Sequence, residues 1–209
     1  MLQKGEFKSR LLNIRYLLFT SVLLLLVMFV LPFYSVGSYS IIKHTTSQLG
    51  AQNTPNAWMM NVTFILVGIS CLLEAWLHLG EFWLHKFLLS AFGLGLVLTG
   101  IFRHAPIVEG VIFEATADKL HSLFATVVGF SFTFFAISTA FIEKAVKHRA
   151  VDISVGVIAT ILSILMGDLP DYSGIWQRAI FIISFAWLIL MFERMRLLNV
   201  PRESAVHTP

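Results

Sequence analysis

The sequence predicts an all-α, polytopic membrane bundle of six transmembrane helices, with both termini in the cytoplasm. Three observations predict it. Apolar residues make up 57% of the 209-residue chain and charged residues only 13%, about half the charged share of a soluble domain. The apolar residues fall into six long runs separated by short polar breaks, and a run of roughly 20 residues crosses the hydrocarbon core as a helix. No run alternates with the two-residue period of a barrel strand, and every run is longer than the roughly 10 residues such a strand needs.

The first run, residues 13–34, follows a basic start like that of a signal peptide. Its apolar region is too long for one, and no small-x-small cleavage site follows Pro32-Phe33-Tyr34, so it is expected to stay as a helix. The loop 35–56 holds Gly50, Asn53, Pro55 and Asn56. Asn53 or Thr54 is expected to cap the second span, 57–79, with Pro55 at its first helical position. The remaining spans are 84–103, 119–142, 151–167 and 174–192. Small or hydroxylated residues recur at helical spacing in three of them: Gly93, Val97 and Gly100 in the third, Ser122, Thr126, Gly129, Thr133 and Ala136 in the fourth, and Gly156, Thr160, Ser163 and Gly167 in the fifth. Such stripes let helix backbones approach closely where lipid removes the hydrophobic drive for association. Residues 1–198 read as one membrane domain and 199–209, which has no apolar period, as a mobile cytoplasmic tail.

Charge sets the orientation. Lys4, Lys8, Arg10 and Arg15 precede the first span, Lys144, Lys147 and Arg149 lie between the fourth and fifth, and Arg194, Arg196 and Arg202 follow the sixth. The alternate breaks hold fewer cations: Lys43, then Arg103 and Lys119, then Arg178. This bias places the N-terminus and C-terminus inside and the chain in the cell (inner) membrane as a multi-pass protein. The net charge of +3 belongs to these breaks, so no nucleic-acid partner is expected. Cys71 is the only cysteine, which excludes an intrachain disulfide and reads as packing. The five tryptophans read as interfacial anchors.

Two polar groupings stand out. On the expected outer face are His44, Arg103, His104, Glu109, Glu114, Asp118, His121, Asp168, Asp171 and Arg178. Asp118 and His121 share a helix face. With His104 and Asp168 they have the donor types of a zinc-like site. The competing reading has Asp118 at the positive end of the fourth helix and His121 bonded to a neighbouring helix. No cofactor or metal is expected. On the inner side, Glu74, His78 and Glu81 share one face, followed by His85, and read as a wet interfacial stripe. Glu74, the deepest, is expected to pair with His78 or to face another helix. Asn61-Val62-Thr63 has the form of a glycosylation acceptor, but Asn61 lies inside the second span and reads as an interhelical hydrogen-bond donor.

Three segments carry a resemblance. Thr46-Ser47-Gln48-Leu49-Gly50-Ala51, continuing through Thr54-Pro55-Asn56-Ala57-Trp58 to Asn61, resembles the first loop of the prokaryotic membrane proteins grouped as domain-of-unknown-function family 998. Gly100-Ile101-Phe102, followed by a short acidic loop and His121, is similar to that family's third-to-fourth span junction. Here, however, Arg103 and His104 precede Pro106, where members often carry Pro and an acid first. Gly174-Ile175-Trp176-Gln177-Arg178 is similar to the family's opening of the sixth span. The layout also resembles, more remotely, the Frag/DRAM/Sfk membrane proteins. The resemblance implies six helices and an uncharacterised or lipid-linked membrane role. It groups Ser47, Asn56, Asn61, His121, Gln177 and Arg178, to which chemistry adds Asp118 and Asp168, as one outer-face polar network. The expected function is binding of membrane lipid, or of another membrane protein or a second copy of the chain, through this outer-face network. The alternatives are a membrane-embedded metal-dependent hydrolase at the outer face and a small-solute transporter.

Overall fold

A computed structural model describes residue 12 and residues 14–198; the tail 199–209 and the basic residues Lys4, Lys8, Arg10 and Arg202 lie outside the described residues. Six helices are long and apolar enough to cross a membrane, and no strand occurs among the described residues. They are α1 (Tyr16–Val30, extended by a 3-10 turn, Leu31–Tyr34), α2 (Ala57–His78), α3 (Trp83–Ile101), α4 (Ala115–Ile142), α5 (Val146–Asp168) and α6 (Ser173–Leu198). The architecture is that of a multi-pass membrane bundle. Short turns join α2 to α3 and α4 to α5, so these define one end of the bundle, the turn end. The α1–α2 connection, which includes a one-turn helix at Thr46–Leu49, the α3–α4 connection and the short α5–α6 turn lie at the opposite end, the loop end.

Consecutive helices pack side by side, and α6 returns to touch α1 and α2. Aromatic rings tie α6 to its neighbours. Phe181 meets Phe64 of α2 with ring centroids 5.9 Å apart, Phe185 meets Phe92 of α3 at 6.0 Å, and Trp187 meets both Phe132 and Phe135 of α4 at 5.8 Å. Trp187 is therefore a core residue, unlike the exposed Trp58, Trp76 and Trp83, which face outward as the expected anchors do.

Glycine sets the closest approach of α2 and α3. A Cβ on Gly93 would lie 2.7 Å from the Gly68 carbonyl and 3.1 Å from Cys71, a distance no methyl group tolerates, so the two backbones are in contact here as in other small-residue interfaces. The stripes of α4 and α5 divide. Ala136 and Gly156 are buried, and Gly156 abuts Ile137, whereas Ser122, Thr126, Gly129, Thr160, Ser163 and Gly167 are exposed. The two helices pack in the half nearer the turn end and leave that small-residue face uncovered towards the loop end.

The boundaries differ from the sequence reading where helix continues past the apolar run. α5 starts at Val146, through Lys147 and Arg149, and α6 runs to Leu198. Hydropathy marks the hydrocarbon, while a helix persists into water on good helix formers. The second span begins at Ala57, after neither Asn53 nor Thr54 as cap. Asn56 holds the position before it with φ of +58° and no side-chain cap, a left-handed backbone that Asn tolerates. Its Nδ2 instead donates to the Tyr34 carbonyl at 2.9 Å.

Candidate functional site

At the loop end, Arg178 is the centre of a latch. It is only 4% exposed. Nη1 donates to the carbonyls of Ile41 and His44 at 3.0 Å and of Gly174 at 2.9 Å, and Nη2 donates to the Tyr39 hydroxyl at 2.7 Å. No carboxylate pairs with it among the described residues. Neither Asp168 nor Asp171 reaches it; Asp171 pairs with Lys43 at 3.1 Å. Tyr39 passes the contact on by donating to His44 and Thr45 carbonyls. Burial raises its phenol above the ordinary range, against the opposing Arg178 charge, so the hydroxyl stays protonated. Immediately before it in the chain, Gln177 accepts at Oε1 from the Thr46 backbone N–H at 2.7 Å and from the Thr46 hydroxyl, and Gln177 Nε2 approaches the Ser47 hydroxyl at 3.4 Å. Gly174 completes the joint. Its N–H donates to the Ile42 carbonyl at 2.9 Å, and a Cβ there would collide with the Ile41 and His44 carbonyls.

The other loop-end residues form separate groups. Asn61, buried, donates to the Gly50 carbonyl at 3.0 Å. His121, buried, points Nδ1 at the carbonyls of Thr99 and Phe102, 3.0 and 2.8 Å away. Carbonyls only accept, so Nδ1 carries the proton. Asp118 Oδ1 accepts from the Ala105 N–H at 2.7 Å and lies 3.3 Å from His104 Nδ1, while the His104 and His121 rings meet edge-on at 5.2 Å. Asp168 is exposed and makes no hydrogen bond or ion pair among the described residues. The residues expected as one network make three sets of side-chain contacts, the Arg178–Gln177 latch, the Asn61–Gly50 tie and the Asp118–His104–His121 corner, and the Asn56 side chain bonds Tyr34 instead. Among the described residues no group of three His, Cys, Asp or Glu is arranged to hold a metal ion.

A family model described as "Protein of unknown function (DUF998)" matches residues 19–192. The chain belongs to this family. None of the curated proteins and none of the solved structures matches it. The three segments that carry the resemblance are the ones joined at the loop end of this DUF998 protein. Thr46 and Ser47 meet Gln177, Arg178 holds the loop just before Thr46, Gly50 meets Asn61, and Phe102 meets His121. Their polar atoms are engaged with one another and with backbone. The pattern therefore specifies how the first loop docks on α6 and how α3 joins α4.

At the turn end the polar residues are arranged differently. Glu74, wholly buried, faces His78 at 2.9 Å and is bonded by Arg196, which also bonds Glu193 at 2.8 Å; Glu193 in turn pairs with Arg15. The expected wet stripe is in part an internal ion network linking α1, α2 and α6. Glu81 alone of that stripe is exposed. Lys86 donates to the Gly80 carbonyl at 2.8 Å and lies over the Trp83 and Trp76 rings.

Sequence reading passed over Asp152. It is wholly buried and accepts from Trp187 Nε1 at 2.8 Å. The signal was present: Asp152 is the sole acid in the run 151–167, and ionisable residues inside a span are functional-site candidates. Beside it opens a cavity of about 680 Å³ between the two turns, α3, α4, α5 and α6. Its walls include Leu79, Phe82, Phe135, Ile142 and Met191. Its ionisable rim is Glu143, Lys144, His148 and Arg194. The Glu143 carboxyl is held below its usual range, chiefly by the Ala145 backbone N–H, so it is an anion at neutral pH.

Proposed function

We propose that this DUF998 protein is a membrane-embedded binder of an amphiphilic lipid, and that the lipid sits in the turn-end cavity. The carrying observation is the cavity itself. Its volume falls within the roughly 300–1,000 Å³ typical of ligand sites, its walls are apolar, and its charged residues are confined to one rim. That gradient matches a molecule with a polar head and an apolar body. A rim at the end of a membrane bundle lies at head-group depth, where a lipid presents the same gradient. The loop-end residues support this reading by their engagement elsewhere: Arg178, Gln177, Asn61 and His121 direct their donors to the protein's own backbone and loop.

The excess of Lys and Arg at the turn end supports a cytoplasmic position for that end, with both termini on the same side, in the cell membrane. The lipid then enters from the inner leaflet. Neither catalysis nor transport is needed for this role.

The test is lipid co-purification. Protein extracted in mild detergent and measured intact by native mass spectrometry should carry about one bound phospholipid. Ala145→Trp, at the cavity mouth, and Met191→Phe, in its wall, should each remove most of it while leaving the melting temperature near wild type. Equal lipid retention in both folded variants would defeat the reading.

A further inference from the structure

We infer that the cavity selects a zwitterionic phospholipid whose head carries both a phosphate and a primary ammonium. This rests on the amphiphile reading and adds the head-group chemistry. The rim offers charges of both signs, and their hydrogen-bonding capacity is open. Arg194 Nη1 lies 3.8 Å from Glu143 Oε2, and Nη2 lies 3.8 Å from Asp152 Oδ1. Both distances exceed hydrogen-bond range, and its guanidinium makes no hydrogen bond among the described residues. The Lys144 ammonium likewise has none. These are the donors a phosphate requires, and Arg presents them as a planar fork.

Glu143 supplies the opposite sign. Its Oε1 accepts from the Lys144 and Ala145 backbone N–H groups at 2.8 and 3.1 Å, which fixes the carboxylate on the turn. Its Oε2 faces His148 Nδ1 at 3.6 Å and Arg194 at 3.8 Å, with no hydrogen bond among the described residues. An acceptor with fixed orientation and full charge thus stands with two cations whose hydrogen bonds are unmade, Lys144 without a partner among the described residues and Arg194 ion-paired at 3.8 Å with Glu143 and Asp152. A purely anionic head would satisfy Lys144 and Arg194 but would face the Glu143 charge. A head with a trimethylated amine would balance that charge but could not donate to it. A primary ammonium beside a phosphate meets both demands.

Deeper in the wall, His85 is 6% exposed and its buried Nε2 has no partner among the described residues. The ring itself is held edge-on by Phe82 and Phe135, 5.9 and 6.0 Å between centroids.

The experiment is native mass spectrometry of the full chain in detergent. It is titrated with phosphatidylethanolamine, phosphatidylglycerol and phosphatidylcholine of identical acyl chains. Phosphatidylethanolamine should be retained about tenfold over each of the others, the size of one charge-assisted hydrogen bond. Glu143→Gln should abolish its advantage over phosphatidylglycerol. Arg194→Gln should weaken both of these lipids to a similar degree. Equal or tighter binding of phosphatidylglycerol by the wild type, or an unchanged ratio in Glu143→Gln, would overturn the head-group inference alone, provided Ala145→Trp still lowers binding of every lipid. Unchanged lipid binding in folded Ala145→Trp would overturn the cavity reading beneath it. Displacement of the lipid by soluble phosphoethanolamine at equal concentration would overturn the choice of a lipid as occupant.

Discussion

Replacing Arg178 by alanine should loosen the loop end and lower the stability of the whole bundle. The guanidinium makes donor contacts to Ile41, His44 and Gly174 carbonyls and to the Tyr39 hydroxyl, all between 2.7 and 3.0 Å. Hydrogen bonds to a charged group contribute about 1.5–3 kcal/mol each. They are not additive, and burying the charge opposes them, so a net loss of about 3–5 kcal/mol is expected, as for breaking a buried charged contact. For a chain of this size that corresponds to a fall of roughly 10 °C or more in melting temperature, readable by a thermal melt in detergent. The loss should be local in origin. Amide exchange at residues 41–48 should accelerate strongly while α2 and α3 amides stay protected. Arg178→Lys should fall in between, because an ammonium keeps the charge but lacks the fork that reaches several carbonyls at once. A melting temperature for Arg178→Ala within about 2 °C of wild type, with loop exchange unchanged, would refute the latch.

Further outcomes follow from the other contacts. Glu74→Ala leaves Arg196 and His78 facing an emptied site at the junction of α1, α2 and α6, and should cost about 3–5 kcal/mol in an equilibrium unfolding assay; a loss below about 1 kcal/mol would remove the ion network from the account. His44 has its pKa lowered, first by burial and then by Lys43, and its Nδ1 accepts from the Ser40 N–H at 2.8 Å. The unfolded chain therefore binds the proton more readily, so this contribution is complete above the unfolded value of about 6.5 and is lost as pH falls below it towards the folded value. Melting between pH 7.5 and 5 should show a smaller pH-dependent decline in His44→Gln than in wild type. Cys71 is buried, which permits single-site labelling. An impermeant maleimide added to intact cells should react with Lys43→Cys and spare Lys147→Cys, and the reverse would invert the proposed orientation.

How much of this was legible in the sequence depends on the range of the interaction. The six spans were readable because each is a local property of about 20 consecutive residues. The helix ends were less so: Lys147 and Arg149 look like a loop by hydropathy but continue α5, since charge is no obstacle to a helix once it reaches water. Asn53 or Thr54 is the expected cap of the second span, but Asn56 precedes that span in a left-handed backbone that its neighbours alone do not reveal. At the loop end, Ser47, Asn61, His121, Gln177 and Arg178 were identifiable as a set, but their partners were not. Gln177 meets Thr46 across 131 residues of chain, and only closure of the bundle brings them together. The same closure separates Asp168 from Asp118. The turn-end cavity was invisible because no single segment encodes it; two turns and four helices each contribute a part. The local clues to that end were His85, grouped with Glu74 and His78 but read as an interfacial stripe, and Asp152, an acid inside an apolar run.

The location of bound lipid is tested most directly by photo-crosslinking. A phosphatidylethanolamine carrying a diazirine near the head of one acyl chain would be incorporated into membranes holding the protein, activated, and mapped by peptide mass spectrometry. The account predicts adducts concentrated on the end of α4 and on α6 around Met191 and Met195, and their loss in Ala145→Trp. Adducts concentrated instead around residues 41–61 and 174–178, or spread evenly over the lipid-facing surface and unaffected by Ala145→Trp, would contradict it.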